Sequence, residues 1–237
     1  MKRIALIVLS LALIFAAPVF AQTLQELPFA KKLKLAKVGD VEAQLAVAEA
    51  YDAGTSDGGA NPTEAAKYYR LAALQGNVEA QYRLARIVSK GAKGLKQDMA
   101  TAAKLYEDAA SKGHAIAMNA LGQLYQNGSG VAADPAKAVE WYKKAADQKL
   151  ADAQNNLGAM YLSGKGGPRD LGEAFKLFEL AAGQGNAWGQ NNLGGMYEMG
   201  WGTAKNQAKA LDLYKQAAAQ GNTAASANLK RLAPASP

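Results

Sequence analysis

A single histidine, His114, and no cysteine limit the chemistry open to these 237 residues. One imidazole cannot build a His/Cys metal cluster, and thiolate nucleophiles and disulfides are excluded. His114 stands where Asn77, Asn186 and Asn222 stand in matching stretches, so a helix-starting role outweighs a catalytic one. Gly164-Lys165-Gly166-Gly167 superficially suggests a phosphate loop. It lacks the Gly-x4-Gly-Lys-Ser/Thr spacing and follows a helical stretch, so it reads as a stop and turn. The scattered carboxylates read as helix caps and solvated faces. What remains are side-chain amides, above all Asn155-Asn156 and Asn191-Asn192. An amide donates and accepts at once, and can therefore grip a peptide backbone whatever its sequence.

These amides recur because the chain does. Ala151–Asn186 returns as Ala187–Asn222 and is preceded by Ala115–Leu150, with looser copies at Val41–Asn77 and Val78–His114. A period of this size marks stacked repeats, each packing mainly on its neighbours. Each repeat predicts two helices of about a dozen residues. In the first, Ala153, Leu157, Gly158 and Tyr161 share one face. Gly54, Gly91, Gly128, Gly164 and Gly200 then end it, since glycine enters the left-handed region without strain. Asn61, Asp98, Asp134, Asp170 and Asn206 can cap the second helix, with Pro62 and Pro135 just inside. Gly-Asn or Gly-His closes each repeat except at Lys149-Leu150, where a less tightly defined turn is expected. Tyr69, Tyr106, Tyr142, Phe178 and Tyr214 fill one repeat position and read as core, with Trp141 beside one of them. Residues 22–40 form a lead and half-repeat cap, and 223–237 a capping helix and tail.

Residues 1–21 read as a secretory signal peptide: Lys2 and Arg3, an apolar run from Ile4 to Phe15, and small residues before a cut after Ala21. An uncleaved anchor is the competing reading, because the run approaches the ~20 residues of a spanning helix. With cleavage, no stable membrane insertion is expected and the address is a Gram-negative periplasm, or outside the cell. The net charge is +7, and +5 once Lys2 and Arg3 are removed. That bias is mild and shows no basic stripe of the kind nucleic-acid binding needs.

The pattern Ala-x-x-x-Leu-Gly-x-x-Tyr, with the downstream Gly, the polar cap and the terminal Ala-Ala-x-x-Gly-Asn, resembles the Sel-one-like repeat family, relatives of the tetratricopeptide repeats. It covers Val41–Asn222, with Val47-Ala48 in place of Leu-Gly and Val88 in place of Tyr. The resemblance implies an all-α, right-handed α-solenoid of about five antiparallel helix pairs that assembles complexes and has no cofactor. Some cysteine-rich relatives have been discussed as acting on penicillin-type substrates, but no serine here carries the Ser-x-x-Lys pair.

In such folds the first helices line the inner groove. The groove candidates are Tyr82, Arg86, Asn119, Gln123, Asn155, Asn156, Trp188, Asn191 and Asn192. In related tetratricopeptide proteins an Asn before Leu-Gly bonds an extended peptide, which nominates Asn156 and Asn192. Arg83, Ala46 and Ala120 replace it elsewhere, so the ladder is expected to be incomplete. Trp201, in an inter-helix loop, either folds over the terminal cap or marks a contact edge. Along the face, Glu42, Glu49 and Asp52 give way to Arg83, Arg86 and Lys90. The expected function is a non-catalytic periplasmic adaptor binding an envelope protein or peptide, for assembly or signalling. A peptidoglycan-binding module and a cell-wall or β-lactam hydrolase are the alternatives.

Overall fold

The computed structural model describes residues 24–232. The expected signal peptide, its cut after Ala21, and Pro234 and Pro237 lie outside them. Among the described residues there are twelve α-helices of nine residues or more, and ten of these have 13. The chain divides into two compact units, up to Leu105 and from Tyr106. The first contains α1 (Phe29–Lys37), α2 (Val41–Ala53), α3 (Pro62–Leu74) and α4 (Val78–Lys90). The division falls within α5 (Met99–Ser111). The second contains α6 (Ala115–Asn127), α7 (Pro135–Asp147), α8 (Ala151–Ser163), α9 (Leu171–Gly183), α10 (Ala187–Met199), α11 (Gln207–Ala219) and α12 (Thr223–Leu232). Consecutive helices pair and are antiparallel: Gln184, capping the end of α9, reaches Gln154 in the first turn of α8 at 2.7 Å.

The polar residues before each helix start it as their types require. Asn61, Asp134, Asp170 and Asn206 accept from the backbone amides of Glu64, Lys137, Glu173 and Lys209 at 3.0–3.1 Å. His114 does the same: its Nδ1 accepts from the Ala117 amide at 3.1 Å. Gly54, Gly128, Gly164 and Gly200 end their helices in the left-handed region. Gly91 differs, with ψ 168°, because the chain after it extends into a bridge between Ala92 and Leu95.

The turn expected to be loose is not. Lys149 takes φ 63°, alone among the described non-glycine residues, and its amide reaches the Ala146 carbonyl at 2.8 Å as in the Gly-Asn turns. The departure appears instead as a missing cap, since Leu150 has no side chain to offer the first amides of α8.

The Leu-Gly pair has a packing reason. A Cβ on Gly122, Gly158 or Gly194 would lie 2.7–2.8 Å from the ring of Tyr142, Phe178 or Tyr214. These rings are essentially fully buried, and each lies against a helix stripped to its backbone at that point. Ala48 and Ala85 take the glycine position in the first two repeats and are themselves buried. Val88, standing where the pattern has Tyr, is buried too.

Candidate functional site

In the second unit, α6, α8, α10 and α12 bring the asparagines into one row. Asn228 donates to Asn191 at 3.1 Å, Asn192 to Asn155 at 2.8 Å, and Asn156 to Asn119 at 2.9 Å. Within a helix, Asn191 donates to Asn192 at 3.3 Å and Asn155 to Asn156 at 3.5 Å. Six amides therefore form a continuous chain of bonds. The rule is simple: the sixth residue of a first helix donates to the fifth residue of the first helix before it. Ala120 and Tyr82 hold those positions upstream, so the row starts at Asn119.

Asn156 and Asn192 are each held on both sides, Asn156 between Asn155 and Asn119, and Asn192 between Asn191 and Asn155. Ala46, Arg83 and Ala120 hold the sixth position in the earlier first helices, and the row runs into the capping helix through Asn228, a residue the sequence reading missed. Asn119 is buried, while the other five amides are half-buried. Each of the four central amides uses one N–H and one oxygen lone pair on its neighbours and keeps one of each.

The other candidates separate. Gln123 is exposed, and Trp188 is 55% exposed at the start of α10. Tyr82 is half-buried with the Arg83 guanidinium over its ring, and Arg86 pairs with Asp52 at 3.2 Å. Trp201 is half-buried and does not lie over the terminal helix. It packs against the Ala174, Phe178, Leu193 and Met196 cluster, with the Arg169 guanidinium 5.5 Å from its ring. Trp141 is half-buried, with the Lys144 ammonium 4.0 Å from its ring centre.

Sequence reading also missed a set of glutamines. Gln44, Gln154 and Gln190 are buried near the starts of their helices, where each accepts from the glutamine closing its own repeat, Gln75, Gln184 or Gln220, at 2.7–2.8 Å. Met118 takes this place in the third repeat and Gln148 meets its sulfur. The recurrence of Gln44, Gln81, Gln154 and Gln190 four residues after their turns was the available signal.

The row ends against a clamp. Arg231 donates to both oxygens of Glu198 at 2.7 and 2.8 Å, and the Tyr214 hydroxyl donates to the same carboxylate at 2.8 Å. The Arg231 bonds hold the Glu198 carboxyl below its usual range; burial opposes them and the Tyr214 bond adds to them. The folded value is thus the lower one, so the carboxylate's contribution is fully present above the unfolded value and lost as pH falls through the folded one. The thermal midpoint of the wild type is expected to drop between about pH 5 and pH 3 by more than that of Glu198→Gln, which keeps an acceptor for Tyr214. Equal drops in parallel melts would refute the clamp.

Among the described residues no group of three or more His, Cys, Asp or Glu is arranged to hold a metal, and no helix is long and apolar enough to cross a membrane.

Antiparallel helix pairs at a fixed period, ring-on-glycine packing and a polar row along the first helices define an α-solenoid repeat protein. The Sel1 repeat model matches residues 41–77, 78–114, 115–150, 151–186 and 189–222, and the chain belongs to that family. Sel1 repeat proteins generally act as scaffolds for protein interaction. A protective antigen of uropathogenic Escherichia coli with an SLR fold is 34% identical, with TM-score 0.79, over 86% of this chain and 43% of its own. A Sel1 repeat protein from Oxalobacter formigenes is 35% identical, with TM-score 0.73, over 86% of this chain and 59% of its own. The chain thus spans about half the length of these two proteins. An immunity protein of Pseudomonas aeruginosa shares the fold at 22% identity and TM-score 0.53, over 83% of this chain and 72% of its own. No curated protein matches the chain at a significant level.

Proposed function

We propose that the chain is an exported, non-catalytic adaptor that holds an extended segment of an envelope protein along its asparagine row. The continuous row carries this reading. Its amides are fixed in place by one another, so a peptide backbone would meet aligned donors and acceptors whose ordering is already complete. The apolar run and small-residue site at the N-terminus support export, and a periplasmic address follows from that reading. Peptidoglycan is the alternative ligand, suggested by the mild positive charge.

The test is a photo-cross-linker at the exposed Trp188 in intact cells, with and without Asn156→Ala and Asn192→Ala. Loss of both amides is expected to reduce capture of the dominant envelope protein about tenfold, as two hydrogen bonds to a half-buried site allow. Unchanged capture by the folded double mutant would remove the row from binding. Capture of wall material alone, together with sedimentation on peptidoglycan that weakens with salt, would transfer the function to the wall.

A further inference from the structure

At the capping helix the asparagine row meets a group that can only donate. Arg231 lies three residues after Asn228 on the same face of α12, and its Nη2 donates to the Asn228 Oδ1 at 3.4 Å. A guanidinium carries five N–H donors and no lone pair, so it can face the oxygen of an amide but not its NH2. Asn228 must therefore turn its NH2 the other way, where it donates to Asn191 at 3.1 Å. The choice is then handed on. An oxygen that accepts from one neighbour leaves its own NH2 for the next, through Asn192, Asn155 and Asn156 to Asn119. Among the described residues Arg231 is the only charged side chain bonded to an amide of the row.

Arg231 is itself held from the core. The buried tyrosine of a repeat in the second unit donates to the twelfth residue of its first helix. Tyr142 reaches Gln126, and Tyr214 reaches Glu198, both at 2.8 Å. Where the ring is Phe178, which has no hydroxyl, the twelfth residue is Leu162. Of these three places only the last holds a carboxylate, and a carboxylate can take a guanidinium at two points. Glu198 does so, at 2.7 and 2.8 Å. A fully buried ring thus fixes a carboxylate, the carboxylate fixes a guanidinium, and the guanidinium fixes the first amide.

We propose that Arg231 is the positioning residue that sets the sense of every hydrogen bond in the row. It thereby selects which N–H and which lone pair each asparagine keeps for a partner, without touching that partner. The use in binding rests on the adaptor reading; the control of the row does not. With Arg231 in place, the opposite sense would set a guanidinium N–H against the NH2 of Asn228.

The experiment is neutron diffraction from crystals of the full chain grown in heavy water, where deuterium shows directly which side of each amide carries nitrogen. In the wild type the ND2 groups of Asn228, Asn192 and Asn156 should point to Asn191, Asn155 and Asn119. The opposite sense should be about tenfold less occupied or lower, the weight of one charge-assisted hydrogen bond. Arg231→Met keeps the apolar stem but removes the donor, and both senses should then be occupied to within about threefold. The exchange Glu198→Arg with Arg231→Glu keeps an ion pair and places a carboxylate, which can only accept, beside Asn228. Tyr214 can accept from the introduced arginine, and all five bonds should reverse. The proposal is overturned if the wild type shows both senses equally, if Arg231→Met retains the wild-type sense alone, or if the folded exchange variant fails to reverse it. Should the exchange variant not fold, Arg231→Met decides by itself. These crystals hold no partner, so failure here removes the role of Arg231 and leaves peptide binding to the cross-linking test.

Discussion

Replacing Gly166 with alanine is expected to destabilise the second unit by about 3 kcal/mol or more, the sum of a left-handed backbone penalty and an overpacked contact. Gly166 sits at φ +81°, and a Cβ there would lie 2.2 Å from the Pro135 carbonyl oxygen at the start of α7. The loop of one repeat rests directly on the backbone of the repeat before it. Gly202 repeats the arrangement, its Cβ position 2.4 Å from the Leu171 carbonyl oxygen at the start of α9. Neither neighbour can yield, since both are backbone at a helix start. Gly185 provides the comparison: φ is +80°, but nothing lies within 4 Å of its Cβ position. Gly185→Ala should therefore cost only the backbone term, roughly 1–2 kcal/mol. Trp141, Trp188 and Trp201 all lie in the second unit, so tryptophan fluorescence in a denaturant titration reads the effect where it occurs. Equal losses for Gly166→Ala and Gly185→Ala would show that the loop contact contributes nothing.

Truncating Phe178 to alanine should be comparably severe, about 3–5 kcal/mol for a large ring removed from a packed interior. Phe178 is fully buried between Gly158 and the cluster that includes Leu193 and Met196. The cavity cannot close by collapse, because α8 already presents bare backbone beneath the ring. A milder change tests the logic of the position. Phe178→Tyr brings a hydroxyl towards Leu162, which cannot accept it, and should cost roughly 1–3 kcal/mol. Adding Leu162→Gln recreates the pair seen at Tyr142 and Gln126 and should recover most of that loss. Failure of the double mutant to recover, in the same titration, would mean that the hydroxyl and the twelfth residue do not communicate.

The fold was legible because its signals are local and repeated. Asn61 or Gly164 acts on amides within one turn, and five copies make the pattern unmistakable. His114 was readable as a cap for the same reason: position in the repeat outweighed residue type. What escaped were contacts between repeats. The Asn156–Asn119 bond spans 37 residues and depends on how one first helix lies over the previous one, which periodicity does not report. Trp201 was ambiguous because a loop residue carries no periodic phase, and only the packed structure places Arg169 over it. Lys149 was misread in the opposite sense. A non-glycine residue in a glycine position suggested looseness, whereas the flanking helices hold the backbone in the same turn and force the lysine to conform.

The asparagine row also has a sense of direction. From Asn228 through Asn191, Asn192, Asn155 and Asn156 to Asn119, every bond is donated the same way. The amide dipoles therefore add rather than cancel. Inverting one amide alone would set oxygen against oxygen on one side and N–H against N–H on the other, so the row reverses as a whole or stays as it is. A polypeptide is itself a vector, its N–H and C=O groups ordered from one terminus to the other. Laid along such a row, its two orientations are not equivalent, and the surface can tell a chain running one way from the same chain running back.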